Sequence, residues 1–273
     1  MDDFGDWLGR IQERGDIVDP ARSNVLRAAL GEAVESQARD ALPALHHWLY
    51  FWEKRTPQET GADGHPKRGG FLPPITQARR MWAGGRLRFA APLRLGEPVS
   101  RRSTILRIDR KQGRSGVLIF VTVGHEIFGP DGLAIEEEQD LVYRDLDKGG
   151  APAPASPPYE PATPPAESVD PDPVLLFRYS ALTMNSHRIH YDKDYAVGEE
   201  NYPGLVVHGP LQATLLARLA TRELGAPLSN FEFRGLAPAF AGRPLDLHAT
   251  SGEAGIDLSA VQAGTRTMSA SAS

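Results

Sequence analysis

The chain has 273 residues, 41% of them apolar and 24% charged, which is enough for one large domain or two modules with a real core. Its formal net charge of −5 comes without a basic block or stripe, so nucleic acid is not an expected partner. Cysteine is absent, which excludes disulfides, zinc–thiolate sites and thiol nucleophiles.

The N-terminal text "MDDFGDWLGRIQERGD" is acidic and has neither a basic start nor an apolar stretch, so a secretory signal is not expected. No apolar run approaches the ~20 residues that span a bilayer, and a cytoplasmic protein without a membrane partner is the expectation. Residues 24–38 read as a helix, with Ser23 or Asn24 as N-cap. "HWLYFWE", 47–53, reads as a short aromatic strand, and Gly- and Pro-rich text follows to Pro74. Strand-like segments come next at 85–93, 101–109, 116–128 and 133–145, with "GPDG" at 129–132 as a turn.

Nine of the 23 prolines fall in 149–173. Proline fixes φ and removes a backbone donor, so this stretch is expected to join neither helix nor sheet ladder. It reads as an extended linker between a module at 1–148 and a second at 174–273. A proline-rich ligand for a partner's aromatic groove is the alternative.

After the linker, 174–183 reads as a strand and 208–224 as the best helix of the chain. Leu211, Leu215 and Leu219 repeat at four-residue spacing, opposite Thr214, Arg218, Thr221 and Arg222. Strands are expected again at 230–236, 243–249, 255–261 and 265–271, the middle two with period-two alternation. A meander of antiparallel strands around one long helix accounts for this half, an α+β arrangement.

Between strand and helix lies "LTMNSHRIHYDKDYA", 182–196, where Asn185, His187 and His190 are the densest group of proton-handling side chains. A metal site, an acid/base site and a polar capped turn are the three readings. With no third ligand nearby and no HExxH, a metal is not expected.

"NSHRIHYD", followed about a dozen residues later by "GLVVHGPLQATLLARL", resembles the MaoC-like hydratases and dehydratases. The similarity is to their two-module branch, which includes type 2 3-hydroxyacyl-thioester dehydratases and mesaconyl-C4-CoA hydratases. "HWLYFWE", "GFLPPI" and "RMWAGGRLRFAAPLRLGEPV" are similar to the first module of that branch. The resemblance implies a double hot-dog fold, in which a non-catalytic first module walls a site carried by the second. It implies an acyl-CoA substrate with a small branched or dicarboxylic acyl group, such as mesaconyl-C4-CoA or itaconyl-CoA. Coenzyme A is then part of the substrate and no cofactor is expected; a homodimer is the expected assembly. A hot-dog thioesterase and a non-catalytic acyl-CoA or acyl-carrier binding module are the rival readings.

The family pattern has aspartate, one residue, asparagine, two residues and histidine. Asn185, His187 and His190 stand at those places, so a neutral amide replaces the carboxylate. His190 is then the expected base, because an ordinary histidine is largely neutral near pH 7. Asn185 is expected to orient the water. The backbone N–H of Gly209 is expected to hold the enolate oxygen, since Pro210 has no N–H. His187 is expected to be a structural hydrogen bonder at the substrate site rather than a second base, and His208 either a pocket wall or a residue that merely precedes the helix. Arg188 is the candidate cation for a substrate carboxylate. Arg178, Arg234 and Arg243 are candidates for coenzyme A phosphates, with solvated arginines as the alternative.

Overall fold

The computed structural model describes residues 4–33, 35–113, 116–145, 159–253 and 255–273. The first half contains β1 (Ile11–Ile17), α1 (Pro20–Ala29), β2 (Arg79–Phe89), β3 (Pro98–Gly113), β4 (Gly116–Gly129) and β5 (Gly132–Arg144). The second contains β6 (Glu167–Val169), α2 (Pro173–Thr183), α3 (Lys193–Gly198), α4 (Gly209–Leu224), β7 (Asn230–Gly235), β8 (Leu245–Gly252), β9 (Gly255–Gln262) and β10 (Thr265–Ala272). The strands form one sheet in the order β1-β3-β4-β5-β2-β7-β10-β9-β8-β6.

The two halves meet where β2 pairs antiparallel with β7, from Gly84 opposite Arg234 to Arg88 opposite Asn230. Glycine is needed at this join. A Cβ on Gly84 would sit 2.5 Å from the Phe233 carbonyl oxygen, so a side chain there would push the sheets apart.

Helix α4 packs on β7, β8, β9 and β10. Its Leu211, Leu215, Leu216 and Leu219 are fully enclosed, as are Ala213, Ala217 and Ala220. Each enclosed leucine is worth roughly 1.5–3 kcal/mol over an exposed one. The same core reaches into the first half through Leu87, Ile127 and Ile135. A second apolar cluster, Ile105, Ile119, Val121 and Val123, lies further along the same strands. Between them sits buried Glu137, which accepts from Trp48 Nε1 (2.9 Å) and Gln139 Nε2 (2.7 Å) and pairs with His47 Nε2 (3.0 Å). These bonds outweigh burial and hold its carboxyl down at about 2.

The expected strands at 85–93, 101–109, 116–128 and 133–145 and the 129–132 turn appear as β2 to β5, and 208–224 appears as α4. Five expectations change. The first helix begins at Pro20, capped by Asp19, because Asn24 spends its amide on Ser36. Residues 46–49 form a 3-10 turn between left-handed Leu45 and Phe51, since their rings insert into the core instead of alternating across a sheet. Residues 174–183 are helical. The Asp172 carboxylate accepts from Leu175 N and Pro173 starts the first turn, and these signals outweigh the β-like composition. Within the expected linker, Glu167–Val169 pairs with β8, so this stretch does join the ladder; its 149–158 portion lies outside the described residues. Thr214, expected on the polar side of α4, is buried and bonds the Pro210 carbonyl.

Candidate active site

Helix α2 ends at Met184 in the left-handed region, and the chain turns back on itself. Asn185 makes that turn: its N–H donates to the Ser180 carbonyl (2.9 Å), and its Oδ1 accepts from His187 N (3.1 Å). A 3-10 turn over Arg188–His190 follows, then α3, capped by Asp192 through Tyr195 N. The capped polar turn and the acid/base cluster are therefore one object. The amide Nδ2 of Asn185 has no partner among the described residues and remains a donor.

His190 is buried, and its Nδ1 lies 2.7 Å from the Val206 carbonyl oxygen. A carbonyl only accepts, so Nδ1 carries the hydrogen and Nε2 keeps its lone pair. Nε2 has no protein partner among the described residues. Burial is the main cause that drives the ring down to about 3; Val206 opposes the shift and His187 adds to it. His190 is thus a neutral base with one open nitrogen.

His208 lies flat on that ring, centroids 3.7 Å apart. It is fully buried, with Nε2 2.8 Å from Ser180 Oγ and Nδ1 unpartnered. It is also the N-cap residue of α4. The first N–H groups of a helix have no acceptor within it, so Gly209 and Leu211 present N–H groups at the end where His190 stands.

His187, 7% exposed, stands at a right angle to His190, centroids 5.5 Å apart. Its Nε2 is 3.1 Å from Glu200 Oε1. Arg79 of β2 reaches Glu200 Oε2 (3.3 Å) and also the Glu200 carbonyl. His65 stacks on the other side of His187 at 4.1 Å, with its Nδ1 3.0 Å from Asp63 Oδ2.

The first half thus buttresses the turn directly. Ser186 Oγ donates to the Gly64 carbonyl, Arg188 N to the Asp63 carbonyl (2.9 Å), and Trp52 Nε1 to the Leu182 carbonyl (3.1 Å). Asp63, His65, Arg79 and Glu200 were not singled out in the sequence. "GADGHP" carries a turn signal, but nothing local ties it to a histidine over a hundred residues away.

The arginine expectations fare differently. Arg188 donates to Asp192 Oδ2 (3.0 and 2.7 Å) and lies over the Tyr195 ring. Arg178, Arg234 and Arg243 are exposed, and none contacts the histidines. Among the described residues no group of three or more His, Asp or Glu could hold a metal ion.

A double hot-dog protein with a buried histidine beside a helix N-terminus is what this fold and site define. Residues 45–241 match the model of the family described as hydroxyacyl-thioester dehydratase type 2. The mesaconyl-C(4)-CoA hydratase of Chloroflexus aurantiacus is 48% identical over 94% of this chain and 92% of its own. A MaoC-like dehydratase from Phytophthora capsici superposes with a TM-score of 0.70 at 14% identity, over 97% of this chain and 95% of that one. A Mycobacterium tuberculosis protein described as a double hotdog fold superposes at 0.55 and 16% identity, over 97% and 95%. The chain belongs to the type 2 hydroxyacyl-thioester dehydratase family and is an enzyme of the hydratase–dehydratase class.

Proposed function

We propose that the enzyme adds water reversibly to an enoyl-CoA thioester with a small branched or dicarboxylic acyl group, mesaconyl-C4-CoA or itaconyl-CoA being the leading candidates. The single observation that carries the chemistry is the His190 tautomer: Nδ1–H is spent on Val206, and Nε2 is left with an open lone pair beside the start of α4. The similarity to a mesaconyl-C(4)-CoA hydratase supports the acyl group.

In this reading a water donates one O–H to His190 Nε2 and accepts from Asn185 Nδ2. As oxygen bonds to the β carbon, charge moves to the thioester oxygen, where the Gly209 N–H stabilises it; one such donor is worth about 10²–10³-fold. The second module carries these groups and the first supplies the wall through residues 61–65 and Arg79. The reaction needs no cofactor beyond the coenzyme A of the substrate. We place the enzyme in the cytoplasm and as a homodimer; exposed Val174 and Phe177 of α2 offer an apolar surface for a second copy.

The test is incubation with mesaconyl-C4-CoA. The enoyl-thioester absorbance should fall, and the product should be heavier by one water. No thiol should appear above the blank, and the protein has no cysteine to confuse that assay. Thiol release matching substrate loss would replace the hydratase with a thioesterase. Intact substrate after long incubation would leave a binding module.

A further inference from the structure

Hydration of a conjugated double bond moves two protons. One leaves the water oxygen, and one arrives at the α carbon. His190 has a single open nitrogen, already assigned to the water. We propose that His187, held by Glu200, is a second catalytic histidine: the acid that protonates the α carbon. This rests on the hydratase reading above, and Glu200 acts in it as a positioning residue.

The geometry fixes the His187 ring against a buried carboxylate. Its Nε2 meets Glu200 Oε1 at 3.1 Å with both side chains buried. Glu200 cannot swing away, because Arg79 grips both its other carboxylate oxygen and its backbone carbonyl. Arg79 is in turn packed over the Tyr202 ring, 4.7 Å from its centroid. A fixed, buried carboxylate at hydrogen-bond distance sets the orientation of the ring. His187 Nδ1 has no hydrogen-bond partner among the described residues, which leaves one N–H for a substrate.

Four other titratable or charged groups lie near it, and His208, beyond His190, is itself driven well below its ordinary value chiefly by burial. His190, at a right angle on one side, is held neutral by burial. His65, on the other side, is pushed down to about 3, chiefly by burial. Asp63 belongs to His65, and Arg80 is turned to the Tyr143 hydroxyl. Glu200 is thus the one carboxylate hydrogen-bonded to the His187 ring among the described residues.

The step balances. Water oxygen bonds to the β carbon as one water proton passes to His190 Nε2. The π electrons move to the thioester oxygen, giving the enolate. The enolate collapses as its α carbon takes the proton from His187 Nδ1. His190 is left with one proton more and His187 with one fewer, and solvent returns the proton from the first to the second. The sum is one water added, with no redox change.

The test follows kcat and KM against pH for mesaconyl-C4-CoA hydration, with Tm measured on each variant. Glu200→Gln keeps the size and removes the charge. It should lower kcat about tenfold or more with KM within about twofold. If Glu200 positions the acid, the alkaline limb of kcat should move to lower pH in this variant. Glu200→Asp should restore part of both. His187→Gln should abolish the limb. Because Glu200→Gln takes the carboxylate from Arg79, the paired variant Arg79→Gln/Glu200→Gln is included; it removes both buried charges and should likewise lower kcat. A purely structural Glu200 would lower Tm and leave the limb in place, which overturns the proposal, as does wild-type kcat in either folded variant. Failure of the wild-type enzyme to hydrate the substrate would instead overturn the hydratase reading, and this inference with it.

Discussion

The imidazoles of His190 and His208 stack with an interplanar angle of 18°. Both are buried and both are driven down by burial, so neither charges near neutral pH. The stack fixes the plane of the base. His208 is held in turn by Ser180 of α2 and by its place at the head of α4.

If His208 is a wall, a flat ring of similar size should serve. His208→Phe is expected to keep activity within about tenfold, while His208→Ala loses far more. His190→Ala should cost about 10²–10⁴-fold, the usual worth of a general base. Steady-state rates on one substrate would check all three. Equal losses in the two His208 variants would give its nitrogens a chemical role.

Asn185 holds the turn with its Oδ1 and offers Nδ2 to the site. Asn185→Asp keeps the oxygen that accepts from His187 N, so the fold should survive with measurable residual activity. Asn185→Leu loses both functions, and both Tm and kcat should fall. An Asp variant as inactive as the Leu variant, with wild-type Tm, would show that the amide hydrogens are needed and the turn is not the issue.

Gly64 has φ +89, and a Cβ there would lie 1.8 Å from the Ser186 carbonyl oxygen. Gly64→Ala should therefore cost roughly 1–3 kcal/mol in backbone strain and also displace the catalytic turn. Thermal melts and rates should fall together. Gly204→Ala, where a Cβ meets nothing within 4 Å, is the neutral control. An active, stable Gly64→Ala would mean that the first-half loop does not set the site.

Five histidines are held below the ordinary 6.5: His46, His65 and His190 at about 3, His125 at about 4, and His208 well below it. Burial leads in each. Folding excludes their protons, so the unfolded chain binds more of them between about pH 6.5 and 4. Stability from these groups is complete above 6.5 and is lost as pH falls, by up to about 1.4 kcal/mol per pH unit for each proton. Glu137, held at about 2, adds a loss in the same direction below 4.5. Urea midpoints should drop steeply from pH 7 to 5. A flat profile would show that these rings are not buried neutral.

Much of this was legible locally. Helix α4 announces itself by its leucine spacing, and β4 by its apolar, β-branched run. The Asn185, His187 and His190 cluster stands out because proton-handling residues crowd into six positions. What failed was local in another way. Residues 174–183 are rich in strand-forming side chains, yet Asp172 and Pro173 start a helix.

The sequence by itself determined the strands, the long helix and the residue types that can move protons, because periodicity and side-chain chemistry are properties of short stretches. It left the role of each histidine open. Tertiary structure decided that: Val206 sets the tautomer of His190, Glu200 and Arg79 grip His187, and residues 61–65 brace the turn from the other half. The physical reason is that protonation and orientation depend on burial and on partners brought from distant positions, and only the folded sheet, closed at Gly84 and Phe233, brings them together.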